Sequence, residues 1–330
     1  MRQSSKAVTM KILFAGSPQA AADTLNILLQ NQAECGFEVA GVLSNPPTAK
    51  GRHKELTPTP VAELALSKNI PVFTPDHLDS AAREQIAPLG ADLLVSFAYG
   101  HIFGPKFLAM FSMGGINLHP SLLPKYRGCT PVPAAILNRD TQTAVTIQTL
   151  ALKMDEGNIL LQQKIALDGT ETGESLLNQS AKIGAELICS LLKDASKTKT
   201  LPNGTEQTGT PSYTGIITKN DGKINWKESA ETIEAKIRAF YPEPGCWCIE
   251  NELPLRILKA DFSGKDDERT AKYQAEPEGK VLEFVKNEGI YVKTADGILI
   301  VKELQRQGKK AMNYKDFMNG ARDFIGSVLQ

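Results

Sequence analysis

Asn117 and His119 stand two residues apart at the end of a short apolar run, inside residues 114–131, GGINLHPSLLPKYRGCTP. In an extended strand such a pair projects to one face. Pro120, Pro124 and Gly128 then stop regular structure and force a loop that can wall off whatever the pair faces. A further apolar run leads to the polar knot Met154-Asp155-Glu156-Gly157-Asn158, which offers a carboxylate. An amide donor, an imidazole and a carboxylate suffice for acyl transfer without metal or covalent intermediate. The amide hydrogen-bonds the developing oxyanion, and the imidazole steadies it or moves a proton under the carboxylate's control. Each piece alone also has a plainer reading, as strand-end polar groups bonding to backbone and as an Asp-x-Gly turn.

The elements that must position these residues alternate in kind. Residues 11–15, KILFA, form a continuous apolar run, Gly16-Ser17-Pro18 break it, and Ala22, Leu25, Leu28 and Leu29 then repeat at helical spacing. Apolar runs at 37–44, 72–74, 92–99 and 115–118, with helical pieces such as 60–68 between them, predict strands buried on both faces. The pattern is that of an α/β fold, a doubly wound and mostly parallel sheet whose active site lies at the carboxyl ends of the strands. The turn after the first strand is not G-x-G-x-x-G, which disfavours an NAD enzyme. Leu177, Ala181, Gly184, Ile188 and Leu191 mark one helix face and close a first domain, 10–192. Residues 193–218 are rich in Lys, Thr, Gly, Asn and Pro and read as a linker.

The second domain, 219–330, changes character. After one helix bearing Ala230, Ile233, Ile237 and Phe240 come five short strands, 247–250, 254–260, 280–286, 290–294 and 298–303. They predict a small OB-like β-barrel, with a basic cluster of Lys302, Arg306, Lys309 and Lys310 on one rim. Trp247 is expected in its core, with Cys246 and Cys248 incidental.

The 330 residues carry equal numbers of acidic and basic side chains, so a polyanion must be met by a local patch. Lys50, Arg52, His53 and Lys54 supply one, in the long connection 44–61. The five cysteines fit neither a disulfide framework nor metal spacing, which favours a reducing cytoplasm and predicts no metal site. Residues 1–9 are expected as a loose tail, and no stretch is apolar enough for a membrane span.

The motif N-x-H-x-S-L-L-P-x-x-x-G from Asn117 to Gly128, the AYG segment at 98–100 and the M-D-x-G knot occur in order, and in this the first domain resembles the folate-dependent formyltransferases. Residues 223–245, KINWKESAETIEAKIRAFYPEPG, and 308–322, GKKAMNYKDFMNGAR, carry the resemblance along nearly the whole chain to the members that act on tRNA. The resemblance implies that a formyl group passes from 10-formyl-tetrahydrofolate to the amine of initiator Met-tRNA, in a monomer, with Asn117, His119 and Asp155 catalytic. It implies a folate site along Ser121, Leu122, Leu123 and Pro124, with Tyr99, Gly100, His101 and Ile102 at the pterin. It further implies tRNA contact by the loop around Arg52 and by the appended barrel. Glu156 and Asn158 stand where the family often has Thr and Asp. An amino-sugar nucleotide is the alternative acceptor, and a catalytically inactive tRNA-binding protein is the alternative of another class.

Overall fold

The computed structural model describes residues 9–50 and 55–330 of the protein. The chain forms two compact units, neither continuous in sequence. The first takes residues up to 131, 142–166 and 177–214, and the second takes 132–141, 167–176 and 215–330.

In the first unit the buried strand β1 (Met10–Gly16) runs into α1 (Gln19–Cys35), whose Ala21, Leu25 and Leu28 face the core. That helix stops at Gly36, which takes the left-handed conformation that favours glycine. There follow β2 (Phe37–Leu43), β3 (Thr48–Lys50), β4 (Glu55–Thr57), α2 (Pro60–Ser67), β5 (Val72–Phe73), α3 (Ser80–Ile86), β6 (Leu93–Phe97), α4 (Pro105–Leu108), β7 (Gly115–His119) and β8 (Arg127–Gly128). The chain continues through α5 (Pro131–Leu137), which falls in the second unit from Val132 on, β9 (Gln142–Thr149), β10 (Ile159–Ala166), α6 (Gly173–Thr198), which belongs to the first unit from Leu177 on, and β11 (Tyr213–Thr214). Thr59 caps α2 by accepting from Ala62 N at 3.2 Å, with Pro60 beginning the helix, and Asp79 caps α3 in the same way.

The main sheet has the order β10-β9-β7-β6-β1-β2-β5. Its strands are parallel from β5 to β7, β9 pairs antiparallel with β7, and β10 pairs antiparallel with β9. The strand order reverses between β1 and β6, so connections leave a crevice at the carboxyl ends of these strands, where β7 delivers Asn117 and His119. Leu118, between them, points the other way. Gly184 of α6 lies so close over it that a Cβ there would come 2.1 Å from Leu118 Cδ1.

Two expectations are corrected in this unit. The connection 44–61 is not all loop, since β3 and β4 pair antiparallel within it. Its tip, with Arg52, His53, Lys54 and the side chain of Lys50, lies outside the described residues. Nor does irregular chain begin at 193. Helix α6 continues to Thr198 because Leu191, Leu192 and Ala195 extend its buried face by one more turn.

The second unit contains α7 (Ala230–Ala239), β12 (Cys246–Glu250), β13 (Leu253–Ser263), α8 (Glu268–Ala271), β14 (Val281–Val285), β15 (Gly289–Lys293), β16 (Ile298–Arg306), β17 (Met312–Asn313) and α9 (Tyr314–Asn319). The antiparallel sheet runs β12-β13-β16-β15-β14, and β17 pairs with β16. Asn251 and Glu252, at φ 47° and 66°, form the two-residue turn between β12 and β13. The two outer strands are joined by residues 326–330. Val281 N donates to Ser327 O at 2.9 Å and Gly326 N to Val281 O at 2.8 Å, while Ile249 and Gln330 exchange backbone bonds of 2.7 and 3.0 Å. This segment turns an open sheet into the near-closed barrel that the strand pattern predicts. Alternation along β12 reverses one expectation, because Cys246 and Cys248 are buried whereas Trp247 is only partly covered and donates to Lys219 O. The core tryptophan is Trp226.

Candidate active site

The register of β7 and β9 builds the site floor. Asn117 lies opposite Gln148 and His119 opposite Thr146. Asn117 is half-buried, and its side chain makes no hydrogen bond among the described residues. It is therefore an amide with free donors at the carboxyl end of a central strand.

His119 is buried and held from two sides. Its Nε2–H donates to the Tyr126 carbonyl at 2.9 Å, and its Nδ1 stands 3.6 Å from Asp155 Oδ2, within ion-pairing range but longer than a hydrogen bond. Burial pushes the imidazole below its ordinary value, against the upward pull of the Asp155 carboxylate and the Tyr126 carbonyl.

Asp155 sits at φ 54°, a left-handed conformation that Asp tolerates better than most residues. Its Oδ1 accepts from Gln148 Nε2 at 2.8 Å and its Oδ2 from Gly128 N at 2.7 Å. Two fixed donors thus aim the carboxylate at His119. Gly157 lets the knot approach β9, since a Cβ there would stand 1.7 Å from Thr149 O. Gly128, at φ 106°, could not carry a Cβ either, which would meet Thr214 O at 2.3 Å.

Four side chains form a second network behind the knot. Gln207 Nε2 donates to the carbonyls of Asp155 and Gly157, both at 2.8 Å, and lies 3.3 Å from Gln148 Oε1. Gln207 Oε1 accepts from Arg127 Nε at 3.1 Å and Nη2 at 2.8 Å. Arg127 also donates to Tyr213 Oη at 2.9 Å and pairs with Glu156 at 3.1 Å, and Tyr213 Oη donates to Glu156. Glu156 and Asn158 thus have partners of their own, Asn158 Nδ2 donating to Asn203 O at 3.0 Å.

The sequence reasoning missed Gln148, Arg127, Gln207 and Tyr213. Only Gln148 left a signal, as an amide in the alternating run 145–150, and the register sets it opposite Asn117. The other expected residues divide by exposure. Ser121 is buried and closes the loop by donating to Lys125 O at 2.6 Å, while its carbonyl accepts from Thr146. Leu123 and Tyr99 point into the interior, Tyr99 stacking on Phe103 at 5.4 Å and accepting at its carbonyl from Asn45. Leu122 and Pro124 are half-buried, and Gly100, His101 and Ile102 are exposed.

In the second unit Lys302 is committed to Asp261 at 2.8 Å and to Glu288 O. Arg306 grips the buried Glu250 through two nitrogens and lies over the Phe317 ring at 4.5 Å. Lys309 and Lys310 are exposed.

Residues 10–192 match the formyl transferase family, and residues 216–322 match the formyl transferase C-terminal domain. The chain belongs to the formyl transferase family. Among its relatives in this family, the methionyl-tRNA formyltransferase of Treponema denticola is 43% identical over 325 residues, covering 96% of this chain and 98% of its own. Among solved structures, the N-formyltransferase from Helicobacter canadensis, in complex with folinic acid and dTDP-3-aminofucose, aligns with TM-score 0.60 at 20% identity over 90% of this chain and 99% of its own. The methionyl-tRNA formyltransferase from Clostridium thermocellum aligns with TM-score 0.55 at 16% identity over 77% of this chain and 94% of its own. At such identities these two structures establish the shared formyl transferase fold. Among the described residues no helix is long and apolar enough to cross a membrane, and no group of three or more His, Cys, Asp or Glu could hold a metal ion.

Proposed function

We propose that this member of the family transfers the formyl group of 10-formyl-tetrahydrofolate to the α-amine of methionine on initiator tRNA. The observation that carries the chemistry is the free Asn117 amide beside a His119 that Asp155 faces, at the carboxyl end of β7. A donor with no partner among the described residues fits a substrate oxygen that gains charge as the amine attacks. In the step the amine nitrogen bonds the formyl carbon, the bond from that carbon to the folate N10 breaks, the amine gives up a proton and N10 receives one. Asn117 stabilises the oxyanion between those events, and one such donor is worth about 10² to 10³ in rate. His119 holds or relays the proton. Relay through Nε2 requires that atom to leave the Tyr126 carbonyl, and Asp155 supports the charged imidazole that results.

The acceptor rests on the near full-length similarity to a relative named for Met-tRNA. In this reading Lys50, Arg52, His53 and Lys54 meet tRNA phosphates. Of the basic cluster, Lys309 and Lys310 are the side chains left exposed, since Lys302 and Arg306 already serve carboxylates. Leu122, Pro124 and residues 100–102 border the folate. The protein acts as a monomer in a reducing cytoplasm, where its free cysteines persist.

The test is transfer of labelled formyl from 10-formyl-tetrahydrofolate to initiator Met-tRNA, beside elongator Met-tRNA, an amino-sugar nucleotide and water. Fast transfer to the initiator alone is expected. Turnover on the sugar or on water with none on tRNA would overturn the acceptor, and tight tRNA binding without turnover would mark an inactive binding protein.

A further inference from the structure

The segment after α6 carries few apolar residues and no periodicity, yet it touches both loops of the site. Its Asn203 carbonyl holds Asn158, and its Thr205 exchanges backbone bonds of 2.8 and 2.9 Å with Ile159. Ser212 accepts at Oγ from Tyr126 N and at its carbonyl from Arg127 N, both at 2.9 Å, and β11 pairs with β8. Residues 203–214 therefore lie as a strap across the loop that holds His119 from one side and the knot that holds it from the other.

Gln207 is the centre of that strap, and its orientation is fixed by chemistry. Backbone carbonyls can only accept and a guanidinium can only donate, so its nitrogen must face Asp155 O and Gly157 O, and its oxygen must face Arg127. The two carbonyls it binds flank the peptide units of the Asp155–Gly157 turn, in which Asp155 keeps a left-handed backbone. Releasing them frees the turn to rotate and carries the Asp155 carboxylate away from Nδ1.

We propose that Gln207 is a positioning residue for formyl transfer, holding the Asp155 turn in register with His119 through its two carbonyl contacts. The role rests on the function proposed above, but it can be read directly at His119. The charged groups around that imidazole are Asp155, with Glu156 and Arg127 behind it, whereas the opposing β9 residues Thr146 and Gln148 are uncharged. Loss of the aligned Asp155 charge removes an upward pull on the imidazole. Its titration then moves to lower pH.

Two nearly isosteric variants separate this role from simple anchoring. Gln207→Met loses every polar contact. Gln207→Glu keeps and strengthens the Arg127 contact but sets an anionic oxygen against two carbonyls. Both variants are expected to lower the single-turnover rate about 10- to 100-fold while leaving the folate KM unchanged, as expected of misplacement on the order of 1 Å. In labelled protein, with His119→Gln to assign the resonance, Gln207→Met, which adds no charge of its own, should shift the His119 titration to lower pH. Gln207→Asn, which withdraws the amide by one methylene, provides the same readings if the other two fail to fold. A Gln207→Glu protein with wild-type rate, together with an unmoved His119 titration in Gln207→Met, would overturn the proposal, leaving Gln207 as an anchor for Arg127. If wild type transfers no formyl group to any acceptor, the function proposed above fails, and the His119 titrations of the same variants still decide whether Gln207 sets the Asp155 turn.

Discussion

Gly157→Ala is the sharpest perturbation of the site that touches no reacting group. The added Cβ would stand 1.7 Å from Thr149 O and 2.7 Å from Thr149 C. Ordinary contact begins at 3.4 Å, so 3.4 − 1.7 = 1.7 Å of separation must open between two stretches of backbone. Neither yields easily. Thr149 is the last residue of β9, and it holds the knot through Thr149 N to Asn158 O and Asn158 N to Thr149 Oγ1, both 2.9 Å. Even if both sides share the strain, Asp155, two residues away, is displaced by a large fraction of an ångström from its two donors and from His119. A misplacement of about 1 Å costs roughly 10²-fold in rate, and overpacking costs about 1–3 kcal/mol in stability. Single-turnover formyl transfer and thermal melting read the two effects separately. Gly264→Ala is the control, since nothing lies within 4 Å of its added Cβ. A Gly157→Ala protein with full rate and stability would refute the claim that close backbone approach sets the place of Asp155.

Asn117→Ala should lower the single-turnover rate about 10²- to 10³-fold and leave melting nearly unchanged, because the amide has no partner among the described residues to lose. An equal loss of stability would mean that Asn117 is structural. His119 is held below its ordinary pKa by burial, so the unfolded chain binds the proton first as pH falls. Its contribution is complete above the unfolded value of about 6.5 and is lost as pH drops toward the folded value, so the slope of stability against pH below about 6.5 should flatten in His119→Gln, as urea titrations across that range would reveal. Arg306→Ala leaves the buried Glu250 carboxylate unpaired and should cost about 2 kcal/mol. A stable Arg306→Ala protein with a raised KM for Met-tRNA would return this side chain to the tRNA surface.

The α/β fold and the grouping of Asn117, His119 and Asp155 were legible because each has a local signature. Buried parallel strands read as unbroken apolar runs, Asn117 and His119 end such a run just before Pro120, and Asp155 sits in a turn before Gly157. Gln207 carries no such mark. It is a polar residue among polar residues, and its value lies in four partners contributed by strands and turns some 50 to 80 residues earlier in the chain. The same holds for residues 326–330, whose pairing with Val281 and Ile249 depends on a sheet already formed. The misjudged Trp247 has a simpler cause. Size suggested burial, but the two-residue period of β12 gives the inside to Cys246 and Cys248.

The interleaving of the two compact units bears on how such proteins could trade parts. Residues 132–141 and 167–176 belong with the C-terminal half, Arg139 pairing with Glu231 and the Glu171 carbonyl receiving Arg238. A chimera spliced once near 192 would inherit its barrel from one parent and these two buttresses from the other. Recombination that preserves them needs several junctions at once, so a C-terminal unit of this kind is more readily remodelled in place than exchanged whole.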